Sequence, residues 1–106
     1  MPGEFLFVTD FNKRCVFKMD VATGLMQRFV DFRETGRPSG IDMDAEGNVI
    51  VADSRCSFLK VFQPDGELVA VLNRIGESPL EKPTDVAVHP AGFLVVLDLN
   101  GRVRVF

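Results

Sequence analysis

The chain repeats itself with a period of about 45 residues, and this repeat limits the folds that it can adopt. Pro38 and Pro83 each open a matching segment, and Gly47 and Gly92 follow them at the same spacing of 45 positions. A partial upstream copy starts at Gly3, and its residues 12–16 align with residues 100–104. The copies differ in length only where loops are expected. The 106 residues therefore hold about two and a half units of one repeated structure.

Each unit has the pattern of a series of short strands. Residues 41–44 alternate apolar and polar side chains, as a half-buried strand does. Residues 49–52 are apolar on both faces, which predicts a strand between two packed layers. Turns rich in Gly, Pro, Asp and Asn separate these from further strands at 58–62 and 67–72. Four short antiparallel strands in a repeat of this length predict a β-propeller blade, and no segment has a sustained helical period.

The recurring anchors resemble the NHL repeat. Pro-Ser-Gly-Ile at 38–41, Gly-Asn-x-x-Val-Ala-Asp at 47–53 and Val-Phe at 61–62 follow the family pattern closely. The resemblance covers nearly the whole chain. It implies an all-β fold, a partial β-propeller of about two and a half four-stranded antiparallel blades, of a type that is normally six-bladed.

The resemblance also implies domain bounds. Residues 3–36 are expected to form a partial NHL blade, residues 37–81 a complete blade and residues 82–106 a second partial blade. The family often has Asn-His-Arg before the third strand. Asn-Lys-Arg and Asn-Gly-Arg stand there in the outer units, whereas the central unit has Cys-Ser-Phe at 56–58. A role tied to the Asn and Arg is therefore in doubt for the central blade.

Two and a half blades cannot close a ring, because propellers need about four to eight. The chain is then a section of a longer protein, a piece that closes by self-association, or an isolated arc. The last residues, 102–106, resemble the C-terminus of tripartite-motif proteins that carry NHL repeats. Without neighbouring blades the strands at 5–8 and 93–97 would face water, which predicts self-association or poor solubility of the chain alone.

Catalytic and metal-binding motifs are lacking, which predicts a non-catalytic chain without a cofactor. Neither a Gly-x-Ser-x-Gly elbow nor a P-loop occurs, and two cysteines with one histidine are too few Cys/His ligands for a zinc site. Cys56 and His89 are expected on opposite faces, which disfavours a nucleophile–base pair. The parent protein could be a RING-type ubiquitin ligase, but this chain lacks RING residues. A weaker alternative is a fragment of a propeller enzyme.

An aspartate ends the second strand of all three units. Asp10, Asp53 and Asp98 can be interpreted as ligands of a bound molecule or metal, or as caps that accept hydrogen bonds from loop amides. We favour structural caps, because a residue present in every blade suits a scaffold better than a single site.

The charges predict an electrically two-sided molecule. The net charge is −3, which does not indicate a strongly basic nucleic-acid module. Connections between strands two and three, and between blades, share one face and carry most of the cations. Turns of the opposite face hold Glu4, Asp20, Asp44, Glu46, Asp65 and Glu67 with neither Lys nor Arg.

The basic face is the predicted binding surface. It suits single-stranded RNA, through phosphate contacts and base stacking, and NHL propellers of tripartite-motif proteins are RNA- or protein-binding platforms. The alternative is a protein-interaction module that recruits substrates to a ubiquitin ligase. No membrane contact is predicted, and two free thiols favour the cytoplasm. The candidate contact residues are Lys13, Arg14, Arg37, Arg55, Phe58, Arg74 and Arg102.

Overall fold

A computed structural model describes residues 4–32, 36–55, 57–72, 74–75, 78–79, 82–98, 101 and 103–105. All regular elements in these ranges are β-strands. They form three sheets of three, four and three strands, together with one two-stranded hairpin, and every pairing is antiparallel. The bounds of the strands are β1 Phe5–Asp10, β2 Cys15–Asp20, β3 Met26–Asp31, β4 Pro38–Met43, β5 Val49–Asp53, β6 Phe58–Phe62, β7 Leu68–Leu72, β8 Arg74–Ile75, β9 Ser78–Pro79, β10 Pro83–Val88, β11 Leu94–Asp98 and β12 Val103–Val105.

The second sheet has the complete four-strand order β4-β5-β6-β7. The first sheet, β1-β2-β3, corresponds to strands two to four of this unit. The third sheet, β10-β11-β12, corresponds to strands one to three. Strand β10, the first strand of the third sheet, packs against β4 and β5, the first and second strands of the middle sheet. Strand β4 packs against β1 in the way that β10 packs against β5, so β1 has the second-strand position in its sheet. The predicted all-β partial propeller is therefore confirmed, while the NHL blade assignment of each range stays a prediction.

The middle sheet is buried on both sides, as its apolar β5 predicts. Val49, Val51 and Phe62 face the first sheet, where they pack against Val16 and Phe32. Rings of Phe7, Phe29, Phe32 and Phe62 meet edge to face at this interface, with centroids 4.8 to 6.3 Å apart. Such arrangements set the negative face of one ring against the positive edge of the next. Several of the ten phenylalanines thus stabilise one sheet-to-sheet contact.

The other side of the middle sheet packs against the third sheet. Ile50, Ala52 and Leu59 are at most 2% exposed there, against Val86 and Val96 of the third sheet. Alternation along a strand sends successive side chains to opposite faces, so β5 contributes to both interfaces. We call the face of a sheet turned toward the preceding sheet its backward face, and the other its forward face.

Polar contacts also hold neighbouring inner strands together. The Asp42 carboxylate accepts a hydrogen bond from the Val88 amide of the next sheet at 2.8 Å. The Ser39 hydroxyl lies 3.1 Å from the Ala52 carbonyl oxygen and 3.2 Å from that of Pro83. A Cβ at Gly40 would collide with Asp85, so glycine permits the close approach of β4 and β10.

One element was not predicted. The connection between the second and third sheets contains the hairpin β8–β9, in which Ile75 pairs with Ser78. The sequence analysis had no strand in this segment, because its pieces of two residues are too short to show an alternating pattern.

Candidate functional site

The loops that carry most of the predicted cations lie at one end of the sheets. Because the strands are antiparallel, the β1–β2, β5–β6 and β3–β4 connections emerge together at this end. We call this surface the basic loop face. The predicted contact residues in the described part of this face are Lys13, Arg14, Arg37, Arg55 and Phe58, and Phe11 lies in the β1–β2 loop of the same face.

The buried carboxylate of Asp53 organises the loops beneath this face. Its Oδ1 atom accepts hydrogen bonds from the backbone amides of Arg37 and Arg55, each at 3.1 Å. Its Oδ2 atom lies 3.3 Å from Nζ of Lys60. The side chain of Asp53 is completely buried, and that of Lys60 is 13% exposed. Gly36 packs directly onto the carboxylate, because a Cβ at this position would overlap both oxygens. Asp53 thus connects the β3–β4 and β5–β6 loops, because the same carboxylate oxygen accepts a hydrogen bond from each.

Two arginines of the face are anchored through their side chains. Nε of Arg14 donates a hydrogen bond to the carbonyl oxygen of Gly36 at 3.0 Å. Nη1 of Arg37 donates to the carbonyl oxygen of Phe11 at 3.1 Å, and its guanidinium lies 5.0 Å from the centroid of the Phe11 ring. That ring belongs to a residue that is 50% exposed. Arg14, Arg37 and Phe11 therefore form one surface cluster, with exposed Lys13 in the same loop as Phe11.

The third strand of the repeat is β2 in the first sheet, β6 in the middle sheet and β12 in the third sheet. The backbone just before this strand is left-handed in all three sheets. Arg14, Ser57 and Gly101 have φ of 57°, 60° and 77°. This equivalence corrects the sequence alignment, which matched Arg14 with Arg102. Val16 pairs with Thr9 and Val103 with Leu97, so the third loop is one residue shorter and Arg14 corresponds to Gly101. Arginine and serine thus hold a conformation that favours glycine.

The other predicted site residues are less closely grouped. Asp10 accepts a hydrogen bond from the Lys13 amide at 2.9 Å, and Asp98 is only 2% exposed. Phe58 is partly buried at the start of β6, where it pairs with Asp53. The side chain of Arg74 and all of Arg102 and Cys56 lie outside the described residues, so the Cys56–His89 pair is not described.

Lys60 is the functional neighbour that sequence reasoning missed. The sequence pattern predicts only a strand at 58–62 and assigns no role to Lys60. The register shows that Lys60 pairs with Val51, so it lies on the same face of the sheet as Asp53. Arg104 has the equivalent register position opposite Val96. The sequence did contain a signal for this neighbour, namely a cation in the third strand of a unit whose second strand ends in an aspartate.

The opposite face is built on aspartate-capped turns. Asp44 accepts hydrogen bonds from the amides of Glu46 and Asn48, both at 2.9 Å, and from the Asn48 side chain at 3.0 Å. Burial acts to raise the pKa of Asp44, but the hydrogen bonds from Asn48, Glu46 and Gly47 outweigh it and leave the pKa below its ordinary value. A cavity of about 560 Å³ lies beside this turn, bordered by Asp44, Glu46 and His89 among others.

His89 lies exposed in the turn between β10 and β11. Its ring stacks on that of Phe93, with centroids 4.3 Å apart and planes at 7°. Its Nδ1 atom accepts a hydrogen bond from the Ala91 amide at 3.0 Å. Within the described ranges, no three His, Cys, Asp or Glu side chains are grouped to hold a metal ion. No helix suited to crossing a membrane occurs in that part of the chain either.

Comparison with known proteins identifies the fold. No family model and no curated protein sequence matches the chain. A luciferin-regenerating enzyme matches it with a TM-score of 0.74 and 22% identity, over 92% of this chain and 34% of that one. A catalytically inactive virginiamycin B lyase from Staphylococcus aureus, solved with quinupristin, matches with a TM-score of 0.71 and 12% identity, over 99% of this chain and 38% of that one.

These similarities define a class of fold. The two solved proteins are propeller-like enzymes, and the chain resembles a section of such a propeller. It spans about a third of the length of each.

Proposed function

We propose that this chain is a non-catalytic section of a β-propeller and that its basic loop face binds single-stranded RNA. The observation that carries the proposal is the cluster of Arg37 and Phe11, in which a guanidinium lies 5.0 Å from a half-exposed ring. Cations supply phosphate contacts and an exposed aromatic ring supplies a stacking surface for a base. Lys13 and Arg14 extend this cluster in the loop that contains Phe11.

The buried charges beneath the face support the same function. The Asp53 carboxylate pairs with Lys60 and accepts hydrogen bonds from the amides of Arg37 and Arg55, so its negative charge is compensated inside the protein. The Arg37 guanidinium donates to a neutral carbonyl oxygen, as does that of Arg14. These arginines keep a positive charge at the surface that phosphates can approach.

The resemblance to NHL repeats supports this proposal as well, because propellers of that family are RNA- or protein-binding platforms. Membership of that family, a tripartite-motif parent and a cytoplasmic location belong to the proposal. Cys15, which is buried as a free thiol, is compatible with a reducing compartment. The alternative is that the same face binds proteins and recruits them as substrates to a ubiquitin ligase.

Fluorescence anisotropy with a labelled single-stranded oligouridylate tests the proposal. A probe of about 12 nucleotides covers a site of the size that such surfaces bind. Affinity should fall as salt rises, with a slope of roughly −0.7 per phosphate that is neutralised. A duplex of the same length should bind more weakly, because its bases are stacked and closed to Phe11.

Variants separate the two kinds of contact. Arg37→Glu combined with Arg55→Glu should weaken binding and reduce the salt slope by roughly 0.7 for each lost phosphate contact. Phe11→Leu should lower affinity at least about fivefold without changing the slope, since stacking is worth roughly 1–3 kcal/mol per base. Arg28→Glu is the matched control, because Arg28 is exposed on β3 and pairs with Asp31 at 3.6 Å.

Unchanged RNA affinity in the double variant would exclude the basic loop face as the RNA site. Equal losses in Arg28→Glu would show a general charge effect instead. A wild-type chain that binds no RNA in low salt would leave the protein-docking alternative.

A second candidate function is a section of a propeller enzyme. The luciferin-regenerating enzyme and the virginiamycin B lyase are both enzymes, and the cavity beside Asp44 and His89 offers a concave surface. An enzyme of this kind would lose activity on His89→Gln in the full parent protein, whereas a binding platform on the basic loop face would keep its RNA affinity.

A further inference from the structure

The cavity of about 560 Å³ lies between the middle and third sheets, on the face opposite the basic loop face. The forward face of the middle sheet contributes Ile50 and Val61, and the backward face of the third sheet contributes Val88 and Leu94. The β4–β5 and β10–β11 turns form the rim. Both sheets belong to the chain and pack against each other, so the cavity is a feature of their shared interface.

The corresponding region of the other sheet-to-sheet interface holds aromatic rings. Phe7 stands three positions before Asp10 at the end of β1, and Ile50 stands three positions before Asp53 at the end of β5. Phe7 packs edge to face on Phe29, with centroids 4.8 Å apart. The second interface has an aliphatic side chain at the equivalent position, and the cavity borders it. Since protein interiors are otherwise close-packed, a space of this size is more than a packing defect.

The rim of the cavity carries carboxylates. Asp44 is held at the rim, because its Oδ1 atom accepts hydrogen bonds from the amides of Glu46 and Asn48 and its Oδ2 atom accepts one from the Asn48 side chain. The Glu46 side chain is exposed, and its carboxylate has no hydrogen-bond or ion-pair partner in the part of the chain that the structure describes. None of the described residues that border the cavity is a lysine or an arginine.

We propose that this cavity binds a small organic cation, in which an ammonium group is joined to an apolar body. Its volume lies in the range of about 300–1,000 Å³ that small-molecule sites have. The apolar walls cover the body of the ligand, and the ammonium stays at the polar rim near Asp44 and Glu46, because burial of an unpaired charge is costly. A divalent metal ion fits less well, since no three His, Cys, Asp or Glu side chains are grouped to hold one within the described ranges.

The cation and RNA use separate surfaces. The cavity opens beside the β4–β5 turn, whereas the basic loop face is made by connections at the other end of the same strands. Binding of the cation therefore requires neither RNA nor a chemical reaction in the cavity.

Tryptamine is a suitable probe, because it joins an ammonium group to an indole ring and the chain contains neither Trp nor Tyr. Its fluorescence is therefore read without protein background, and its anisotropy should rise as the chain is added. A ligand of this size in a fitting pocket should have a dissociation constant of about 1 mM or lower. Tryptophol carries a hydroxyl in place of the ammonium and indole-3-acetate carries a carboxylate, so each should bind at least about threefold more weakly.

Two variants test the two parts of the site. Glu46→Gln removes a carboxylate from an exposed turn residue, so it should weaken tryptamine binding about threefold and leave tryptophol binding unchanged. Glu67→Gln is its matched control, because Glu67 is exposed on the same face but does not border the cavity. Val61→Phe should weaken both probes at least about tenfold, since the added ring takes up volume that the ligand needs. Val71→Phe is the control for it, because Val71 is 46% exposed and lies outside the cavity.

Several outcomes would overturn the cation site. No rise in anisotropy with about 1 mM chain would exclude it, because a fitting ligand of this size would then be largely bound. Equal affinity for tryptophol and tryptamine would show an apolar site that does not select a cation. Displacement of tryptamine by Mg²⁺ at constant ionic strength would assign the carboxylates to a metal ion. The oligouridylate should bind Glu46→Gln and wild type equally, so failure of the cation site and failure of the RNA site are distinguishable.

Discussion

Nζ of Lys60 lies 3.3 Å from Oδ2 of Asp53, in an ion pair that is almost entirely shielded from water. The ammonium also lies 4.8 Å from the centroid of the Phe32 ring. Lys60 on β6 therefore lies beneath the β3–β4 and β5–β6 loops of the basic loop face and beside Phe32, which follows β3. A buried ion pair of this kind is costly to break from one side, because the remaining charge stays in a medium of low dielectric.

Removal of the Asp53 carboxylate should destabilise the fold strongly. Asp53→Ala takes away the acceptor of two loop amides and the counter-charge of Lys60, so we expect a loss of about 3–5 kcal/mol in the free energy of unfolding. Urea denaturation followed by circular dichroism measures it. Asp65→Ala is the matched control, since exposed Asp65 accepts one hydrogen bond from Glu67, and should cost about 1 kcal/mol. Equal losses in both would contradict the prediction.

The pair should also show coupling in a double-mutant cycle. Lys60→Met removes the positive charge and keeps much of the apolar stem, so it should destabilise wild-type protein more than it destabilises the Asp53→Ala variant. The difference is expected to be about 1–3 kcal/mol, as for residues in direct contact. Strictly additive losses would show that the 3.3 Å approach contributes nothing to stability.

Gly36 should not tolerate a methyl group. A Cβ there would overlap the Asp53 carboxylate, which is held by the amides of Arg37 and Arg55 and cannot move aside freely. Gly36→Ala should therefore lower the free energy of unfolding by about 2 kcal/mol or more, in the range of overpacked sites. Gly24→Ala is the control, since nothing lies within 4 Å of its Cβ position and only the φ of 74° opposes it. The control should lose roughly 1 kcal/mol.

Stability should fall in acid in part through Asp44. Its pKa is lowered in the folded state, so its ionised form stabilises the turn above the ordinary aspartate pKa of about 3.9. That contribution is lost as pH falls through the folded pKa. Asp44→Asn should be less stable than wild type at pH 6, and the gap should close below about pH 4. Denaturation across this pH range measures it, and a gap that stays constant with pH would contradict the assignment.

Asp42 should protect a backbone amide of the neighbouring sheet. Its carboxylate accepts from Val88 at 2.8 Å, which joins the inner strands of two sheets. Asp42→Ala should cost about 1–2 kcal/mol and speed hydrogen exchange at the Val88 amide. Asp42→Asn keeps an oxygen acceptor and should retain most of the protection. Unchanged exchange in Asp42→Ala would show that the amide is shielded by packing alone.

Much of the fold could be predicted from local patterns. The apolar run at 49–52 appears as a fully buried β5, and the turn at 63–66 appears between β6 and β7. Asp53 is buried and accepts loop amides, as a cap does. These features follow from one or a few adjacent residues, whose alternation and turn chemistry act over short range.

The candidate site was less predictable. The loop face and its cations followed from the strand order, but the grouping of Arg14, Arg37 and Phe11 did not. Arg37 reaches Phe11 across 26 positions of sequence. The shift that aligns Arg14 with Gly101 became visible only through the pairing of Val103 with Leu97. Contacts of this kind depend on loop length and on strand register, which repeat alignment alone leaves uncertain by one residue.

By itself, then, the sequence determined a repeated all-β unit, the alternation that buries β5 on both sides and the separation of cations from acidic turns. Tertiary structure alone decided that Lys60 faces Asp53 and that Gly36 closes over the carboxylate. The physical reason is that a periodic pattern sets which side chains share a face. Only the packing of whole sheets sets what each face meets.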